Sequence, residues 1–389
     1  MAAKTDYAAI ASEHGTPFYL FDFDMARERV RNIRSRLPEN ARLCYAIKAN
    51  AFLVRALKDE DILFEVCSPG ELSACERIGL DPQKIVFSGV VKTFDDVRRA
   101  CALGVNTVTL ESKSHAEYLV RAVRESEDSA RAQDVILRLT GGNQFGMSGE
   151  DLRRCIALLK DEPKIRIRGI HFFTGTQKKI PKIREEVAFI QGFCDRLKEE
   201  CGVGSLEIEY GPGLGYDYFS GKDESGNFAA LEEFAECIKD SPYNFVVELG
   251  RYVASPCGIY ATKIADVKSD GSNRYCLIDG GINHINYYGQ MMGMKNPPVR
   301  HIPQAAAFSN LEDYTVAGSL CTTADIVLRR LPLAAPAIGD LLVFGDIGAY
   351  SVTEGIYLFL SHPLPSVLAM SGGKIGRLRN GEETYILNS

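Results

Sequence analysis

Leu43-Cys44-Tyr45-Ala46-Ile47-Lys48-Ala49-Asn50 sets a lysine at the end of an apolar, aromatic run. Leu43–Ile47 reads as a buried strand, and a helical stretch, Val54–Asp59, follows within a few residues. A lysine held there sits where burial can lower its pKa and make the amine a nucleophile. The alternative is a surface lysine that merely closes a strand.

Outward from this stretch the same alternation repeats. Apolar runs at Leu63–Cys67, Ile85–Ser88, Thr107–Leu110, Val135–Leu139, Ile167–Phe172, Leu206–Glu209 and Phe245–Glu248 bring the number of strands to eight. Between them, Pro69–Ile78, Phe94–Leu103, Ser114–Glu125, Gly149–Leu159, Lys182–Glu200 and Leu231–Lys239 carry apolar residues at helical spacing. Eight βα units over roughly 220 residues predict a TIM barrel, an α/β fold. A doubly wound open sheet is the rival, but it does not require eight evenly spaced strands.

After Arg251 the pattern changes. Tyr260–Val267, Arg274–Ile278, Asp313–Ala317, Leu341–Phe344, Tyr357–Leu360 and Glu383–Ile386 read as strands joined by turn residues, which predicts an all-β C-terminal domain. The strand-like Pro17–Phe21 is expected to join it. The boundaries expected are 25–255 for the barrel and 1–24 with 256–389 for the β-rich domain. Asp223–Asn227, polar and glycine-containing, is the best candidate for a mobile loop.

Composition narrows the partners. The 389 residues carry a net charge of -6, and the pI is near 5.7, which argues against nucleic acid or an anionic membrane surface. No stretch approaches the ~20 apolar residues of a membrane span. Eleven cysteines show no C-x-x-C pair or His/Cys ligand cluster, which fits reduced thiols in a cytoplasmic protein and predicts no metal site.

In a barrel the chemistry belongs at the carboxyl ends of the strands. Lys48 ends strand one, Glu65 and Ser68 strand two, Ser88 and Lys92 strand three, and Glu111 strand four. Arg138 lies in strand five, and His171-Phe172-Phe173-Thr174-Gly175-Thr176-Gln177 ends strand six. Gly211-Pro212-Gly213-Leu214-Gly215 follows strand seven, and Glu248-Leu249-Gly250-Arg251 closes strand eight. The glycine loop lets backbone N–H groups approach a phosphate, and Arg251 offers a planar fork for its oxygens. Glu248 ends a buried strand, where the simplest role for its carboxylate is to pair with Arg251.

Tyr-Ala-Ile-Lys-Ala-Asn and Glu-x-Gly-Arg resemble the motifs of the fold-type-III pyridoxal-phosphate decarboxylases, the diaminopimelate, ornithine and arginine decarboxylases. The resemblance spans Gly15-Thr16-Pro17-Phe18 to Gly348-Ala349-Tyr350. It implies the alanine-racemase-like barrel, pyridoxal 5'-phosphate as cofactor, and decarboxylation of an amino acid through an aldimine at Lys48. Glu248 would hold the pyridine nitrogen, with Thr176, Gly213, Gly215, Arg251 and Tyr350 around the phosphate. Glu65, Arg138, His171, Phe173 and Gly250 complete the cofactor-binding set. A homodimer with shared active sites is implied as well, in which Cys321 of Gly318-Ser319-Leu320-Cys321-Thr322-Thr323-Ala324-Asp325 reaches across to protonate Cα.

Three departures bear on the substrate. Phe173 stands where family members commonly have a histidine; its π face can still stack, but it carries no proton. His171, two residues earlier, should share its face. Thr322 is neutral where the residue after the motif cysteine is commonly acidic. The stretch after Asp279-Gly280-Gly281-Ile282-Asn283 offers His284, Asn286 and Tyr288 in place of the arginine of diaminopimelate decarboxylases. A buried charge without a partner is costly, so a free diamino substrate is disfavoured. Thr322, Asp325, His284 and Tyr288 are the expected substrate contacts. The pattern resembles the branch acting on modified or carrier-tethered amino acids. Alternatives are diaminopimelate decarboxylase proper, a racemase or epimerase on the same fold, and an inactive homologue that binds a partner.

Overall fold

The computed structural model describes residues 5–126, 132–305 and 310–389. They form two units. One comprises Arg27–Tyr216 and Asn227–Val253; the other comprises the segment through Ala26, Asp217–Gly226 and Ala254–Ser389.

The second unit is built on a sheet that begins with β1 (Phe18–Asp22). The first unit is a closed parallel barrel of β2 (Ala41–Ala46), β3 (Leu63–Val66), β4 (Ile85–Phe87), β5 (Thr107–Leu110), β6 (Gln133–Arg138), β7 (Ile165–Phe173), β8 (Glu207–Gly211) and β9 (Asn244–Leu249). All eight expected strands are present. Closure is by β2 on β9, with Cys44 beside Glu248, and β2 also pairs β3, with Ala46 beside Glu65. Cys44, Leu63, Val86 and Val246 pack together as a buried apolar cluster among these strands.

The βα turns follow from local chemistry. Ser68 accepts from the Glu71 N–H at 3.1 Å and starts helix Pro69–Ile78, which Gly79 ends in the left-handed region. Thr93 and Asp96 form a reciprocal capping box on Phe94–Leu103. Each cap turns the chain sharply at the carboxyl end of a strand, so the residues just before it line the barrel mouth.

The sheet unit continues with β10 (Gly258–Ser269), β11 (Arg274–Ile278), β12 (Val299–Ile302), β13 (Leu311–Ala317), β14 (Ile326–Ala334), β15 (Leu341–Phe344), β16 (Ser366–Ser371) and β17 (Lys374–Arg379). Its order is β14-β13-β11-β10-β1-β16-β17, with β15 on β10 and β12 on β15. β1 therefore lies inside this sheet, antiparallel to β10 and parallel to β16. Phe18, Leu20, Ala261, Val343 and Leu368 form a core with Ile10 of helix Tyr7–His14.

Two expectations fail here. Tyr357–Leu360 is not a strand: it gives way to a short 3-10 turn, Phe359–Ser361, with Leu360 in the left-handed region at φ 60°. Glu383–Ile386 likewise becomes a 3-10 turn, Tyr385–Leu387. Ile356, Leu358, Tyr385, Ile386 and Leu387 are exposed, so their apolar runs report surface rather than sheet. Strands β12, β14, β16 and β17 were not anticipated from the sequence.

Candidate active site

Lys48 lies on a 3-10 turn, Ile47–Ala49, just beyond β2. The turn is pinned by the Tyr45 hydroxyl donating to the Asn50 carbonyl at 2.9 Å, and by the Phe52 N–H donating to the Asn50 side chain at 3.0 Å. The amine donates to Glu65 Oε2 at 2.6 Å and to Glu248 Oε1 at 3.2 Å, with Cys67 Sγ 3.7 Å away. Its side chain keeps 38% of its surface accessible, while both carboxylates are buried. Gly250 brings the end of β9 close to this turn; a Cβ there would lie 3.1 Å from that of Ala49.

The electrostatics correct the expectation for Lys48. Burial acts to lower its pKa, but Glu248 and Glu65 outweigh it and hold the amine well above the usual lysine value. The lysine is a clamped ammonium, not an amine lowered by burial. Glu65 is pushed up to about 7 by burial and by the second carboxylate beside it. Burial works the same way on Glu248, yet Lys48 and His171 override it and keep Glu248 well below the usual carboxylate range. His171 is buried, its Nε2 3.3 Å from Glu248 Oε2, and burial lowers its pKa, leaving a neutral ring.

Farther round the mouth, Arg138 pairs with Glu111 at 2.8 Å, and Glu111 also accepts the Gly146 N–H at 3.1 Å. Lys92 is buried against the Gly89 carbonyl, and burial lowers it to about 8.

The loops after β7 and β8 are zipped together. The Lys178 N–H donates to the Gly213 carbonyl at 2.9 Å, and the Gln177 side chain bonds the Tyr216 backbone on both sides, at 2.9 and 3.1 Å. Gly213 is in the left-handed region at φ 59°, and a Cβ on it would lie 2.2 Å from the Gly175 carbonyl oxygen. Only glycine allows this approach. A Cβ on Gly211 would lie 2.5 Å from the ring of Phe173, so that ring rests against the glycine loop.

Beneath the loops, Glu186 accepts from Lys178 at 2.7 Å, Tyr210 at 2.7 Å and Thr174 at 2.6 Å, and Lys178 also reaches the Gly211 carbonyl at 3.1 Å. Burial would raise Glu186, but these donors hold it below its ordinary value. The sequence reading missed this brace, because Glu186 sits on helix Ile180–Cys201, away from any motif.

The barrel thus brings together Lys48, Glu65, Glu248 and His171 in one cluster, Arg138 with Glu111 in another, and Phe173, Thr176, Gly213 and Gly215 on the zipped loops. Arg251 opens the short helix that follows β9. Sequence spacing shows no ligand cluster, yet His171, Glu209 and Glu248 place potential ligand atoms within 4.8 Å of one another. Three different strands supply them, so linear spacing hides the trio. Glu248 is already committed to Lys48, which makes the trio part of the lysine site.

In the sheet unit Cys321 and Thr322 are exposed. Tyr288 is half-exposed, and Tyr350 is held in the left-handed region at φ 68°. Two expected substrate contacts are instead internal. Asp325 is buried and accepts the Ile282 and Leu320 N–H groups at 2.8 and 2.7 Å. A Cβ on Gly281 or Gly318 would collide with its carboxylate, so Asp325 ties the cysteine loop to the Asp279–Asn283 loop. His284 is buried between the Tyr260 hydroxyl at 2.9 Å and the Asn283 side chain at 3.2 Å, and burial lowers it to about 3. Both are pieces of the loop framework.

A lysine shared by two buried carboxyls, at the mouth of a closed parallel barrel whose loops also include a glycine-rich turn, has the makings of a barrel enzyme's site. A profile described as pyridoxal-dependent decarboxylase, pyridoxal binding domain, matches residues 24–255. A second, described as the C-terminal sheet domain of these enzymes, matches 251–348. The chain belongs to the pyridoxal-dependent decarboxylases and is a carboxy-lyase with pyridoxal phosphate as its cofactor. It is 26% identical to the L-glutamyl-[BtrI acyl-carrier protein] decarboxylase of Niallia circulans, over 97% of this chain and 94% of that protein. It is equally 26% identical to the 2-[(L-alanin-3-ylcarbamoyl)methyl]-2-hydroxybutanedioate decarboxylase of Staphylococcus aureus, over 94% and 96%. In fold it matches diaminopimelate decarboxylase from Helicobacter pylori with a TM-score of 0.84 at 21% identity, covering 98% of each chain.

The residues present fit this cofactor. Lys48 is reachable, and Glu248 Oε2 is buried without an aligned donor. No helix among the described residues is long and apolar enough to cross a membrane.

Proposed function

We propose that this protein removes the α-carboxylate, as carbon dioxide, from an amino acid whose far end is neutral, modified or tethered to a carrier. The observation that carries the substrate reading is the exposed pair Cys321-Thr322, where a neutral hydroxyl follows the thiol and offers no charge to a distal ammonium. The two relatives named above support it, since one acts on a carrier-linked glutamyl group and the other on a substituted alanine.

Bound pyridoxal phosphate supplies the electron sink for the bond that breaks. The chain's residues prepare it. Lys48 must lose a proton to act as a nucleophile, and Glu65, 2.6 Å away, is the nearest acceptor for it. Glu248, held well below the usual carboxylate range, would keep the ring nitrogen protonated. Gly213, Gly215, Thr176 and Arg251 would hold the phosphate, Phe173 would offer its π face to the ring, and Arg138, paired with Glu111, would help hold the ring in place. Cys321, from a second copy of the chain, returns a proton to Cα after the carboxylate leaves.

Carbon dioxide release from a panel tests the substrate reading: diaminopimelate, lysine, ornithine and arginine against N-acylated, citryl-linked and carrier-tethered amino acids. Release confined to the modified set is expected; turnover of free diaminopimelate would sink it. Shared sites are tested by co-assembly. Lys48→Ala and Cys321→Ala variants, each inactive alone, should recover about a quarter of wild-type activity when mixed as subunits, because random pairing rebuilds one intact site in every mixed dimer. No recovery in mixed dimers would place Cys321 in its own subunit's site or outside the chemistry.

A further inference from the structure

Glu209 lies in β8, fully buried, and neither of its carboxylate oxygens has a hydrogen-bond partner among the described residues. Its neighbours give it no cation of its own. On β8 itself Glu207 is committed to Arg42 at 3.3 Å and Arg168 at 3.5 Å. From β9 comes Glu248, from β7 the neutral His171, from β3 Glu65 and from β2 the Cys44 thiol; Lys48, just past β2, is shared by Glu65 and Glu248. Three buried carboxyls therefore face a single ammonium. An ionised carboxylate without a partner is among the costliest things a protein can bury.

We propose that Glu209 is a neutral carboxylic acid whose proton is donated to Glu248, so that Glu248 remains the anion facing the cofactor. An oxygen of each carboxyl lies within 4.8 Å of the other, so a side-chain rotation is needed to bring the proton into reach, and Glu248 Oε2 lacks an aligned donor; Glu65, on the other side of Glu248, is the competing carboxyl partner. Burial and the negative charges of Glu248 and Glu65 push the Glu209 pKa well above the usual carboxylate range, which agrees. The need for the donor grows when Lys48 is committed to the cofactor, because its positive charge then no longer serves Glu248. Glu209 is a positioning residue. Its consequence for catalysis rests on the reading of Glu248 given above; its protonation does not.

Two measurements test this separately. Infrared spectra of the cofactor-free protein at pH 8 should contain the carbonyl stretch of a protonated carboxylic acid that Glu209→Gln removes. The same spectrum in both proteins would overturn the proposal. Pyridoxal phosphate affinity and the pH titration of the bound chromophore form the second test. Glu209→Gln, which keeps a neutral donor, should hold both close to wild type, whereas Glu209→Leu should weaken affinity roughly ten- to a hundredfold and shift the titration. Equal damage in both variants, or none in either, would also overturn it. If wild-type protein failed to bind pyridoxal phosphate, the role given to Glu248 would fall while the infrared band still decided the state of Glu209.

Discussion

Lys48→Ala is expected to lower kcat/KM by at least about ten-thousandfold and to abolish borohydride-trapped pyridoxyl label on the peptide Leu43–Asn50. Two functions leave with the amine. The cofactor loses its covalent anchor, and Glu65 and Glu248 lose the ammonium they share. Each carboxyl then holds a proton more readily, since the attraction that favoured its charge is gone. The barrel should stay folded, because the site is answered by protonation rather than by collapse. Label recovered from the variant at another lysine, with activity retained, would show that Lys48 is not the anchor. Lys92 is the natural place to look, being buried and lowered to about 8.

Glu248→Gln should preserve the label on Lys48 yet lower kcat about a hundred- to a thousandfold. Glutamine keeps the shape of the side chain but cannot carry the charge that holds a ring nitrogen protonated. The loss should fall on kcat and kcat/KM alike, because the interaction strengthens only as charge develops. A raised KM with unchanged kcat would instead assign Glu248 to substrate binding.

Much of this architecture was readable from residue order. Each barrel strand and the helices between them carry their own apolar period, so all eight strands and the seven helices between them could be placed, whereas helix Phe23–Arg34 before the first strand was not; the motif residues fell at strand ends where a barrel puts its chemistry. The sheet unit was harder for a physical reason. β14 includes Arg329, Arg330 and Pro332, and β17 runs Lys374-Ile375-Gly376-Arg377-Leu378-Arg379; each lies at an edge of the sheet. Edge strands carry charge and proline to discourage further pairing, which erases the hydrophobic signature used to find strands. β16, by contrast, carries the apolar run Val367-Leu368-Ala369-Met370 that marks a strand. Within the site, strand order gave Lys48 and Glu248 but neither the raised pKa of the lysine nor the Glu209 neighbourhood. Both depend on which strands become neighbours, and β2 meets β9 only on closure.

The placement of β1 sets an order on assembly. Phe18 pairs with Ser366, so β1 waits for β16, which is made long after it. The barrel units, whose partners mostly follow one another directly, can close during synthesis. The sheet that includes β1, and the candidate loop bearing Cys321, can be completed only afterwards. A truncated chain would therefore leave an unpaired apolar strand, a ready handle for chaperones and proteases.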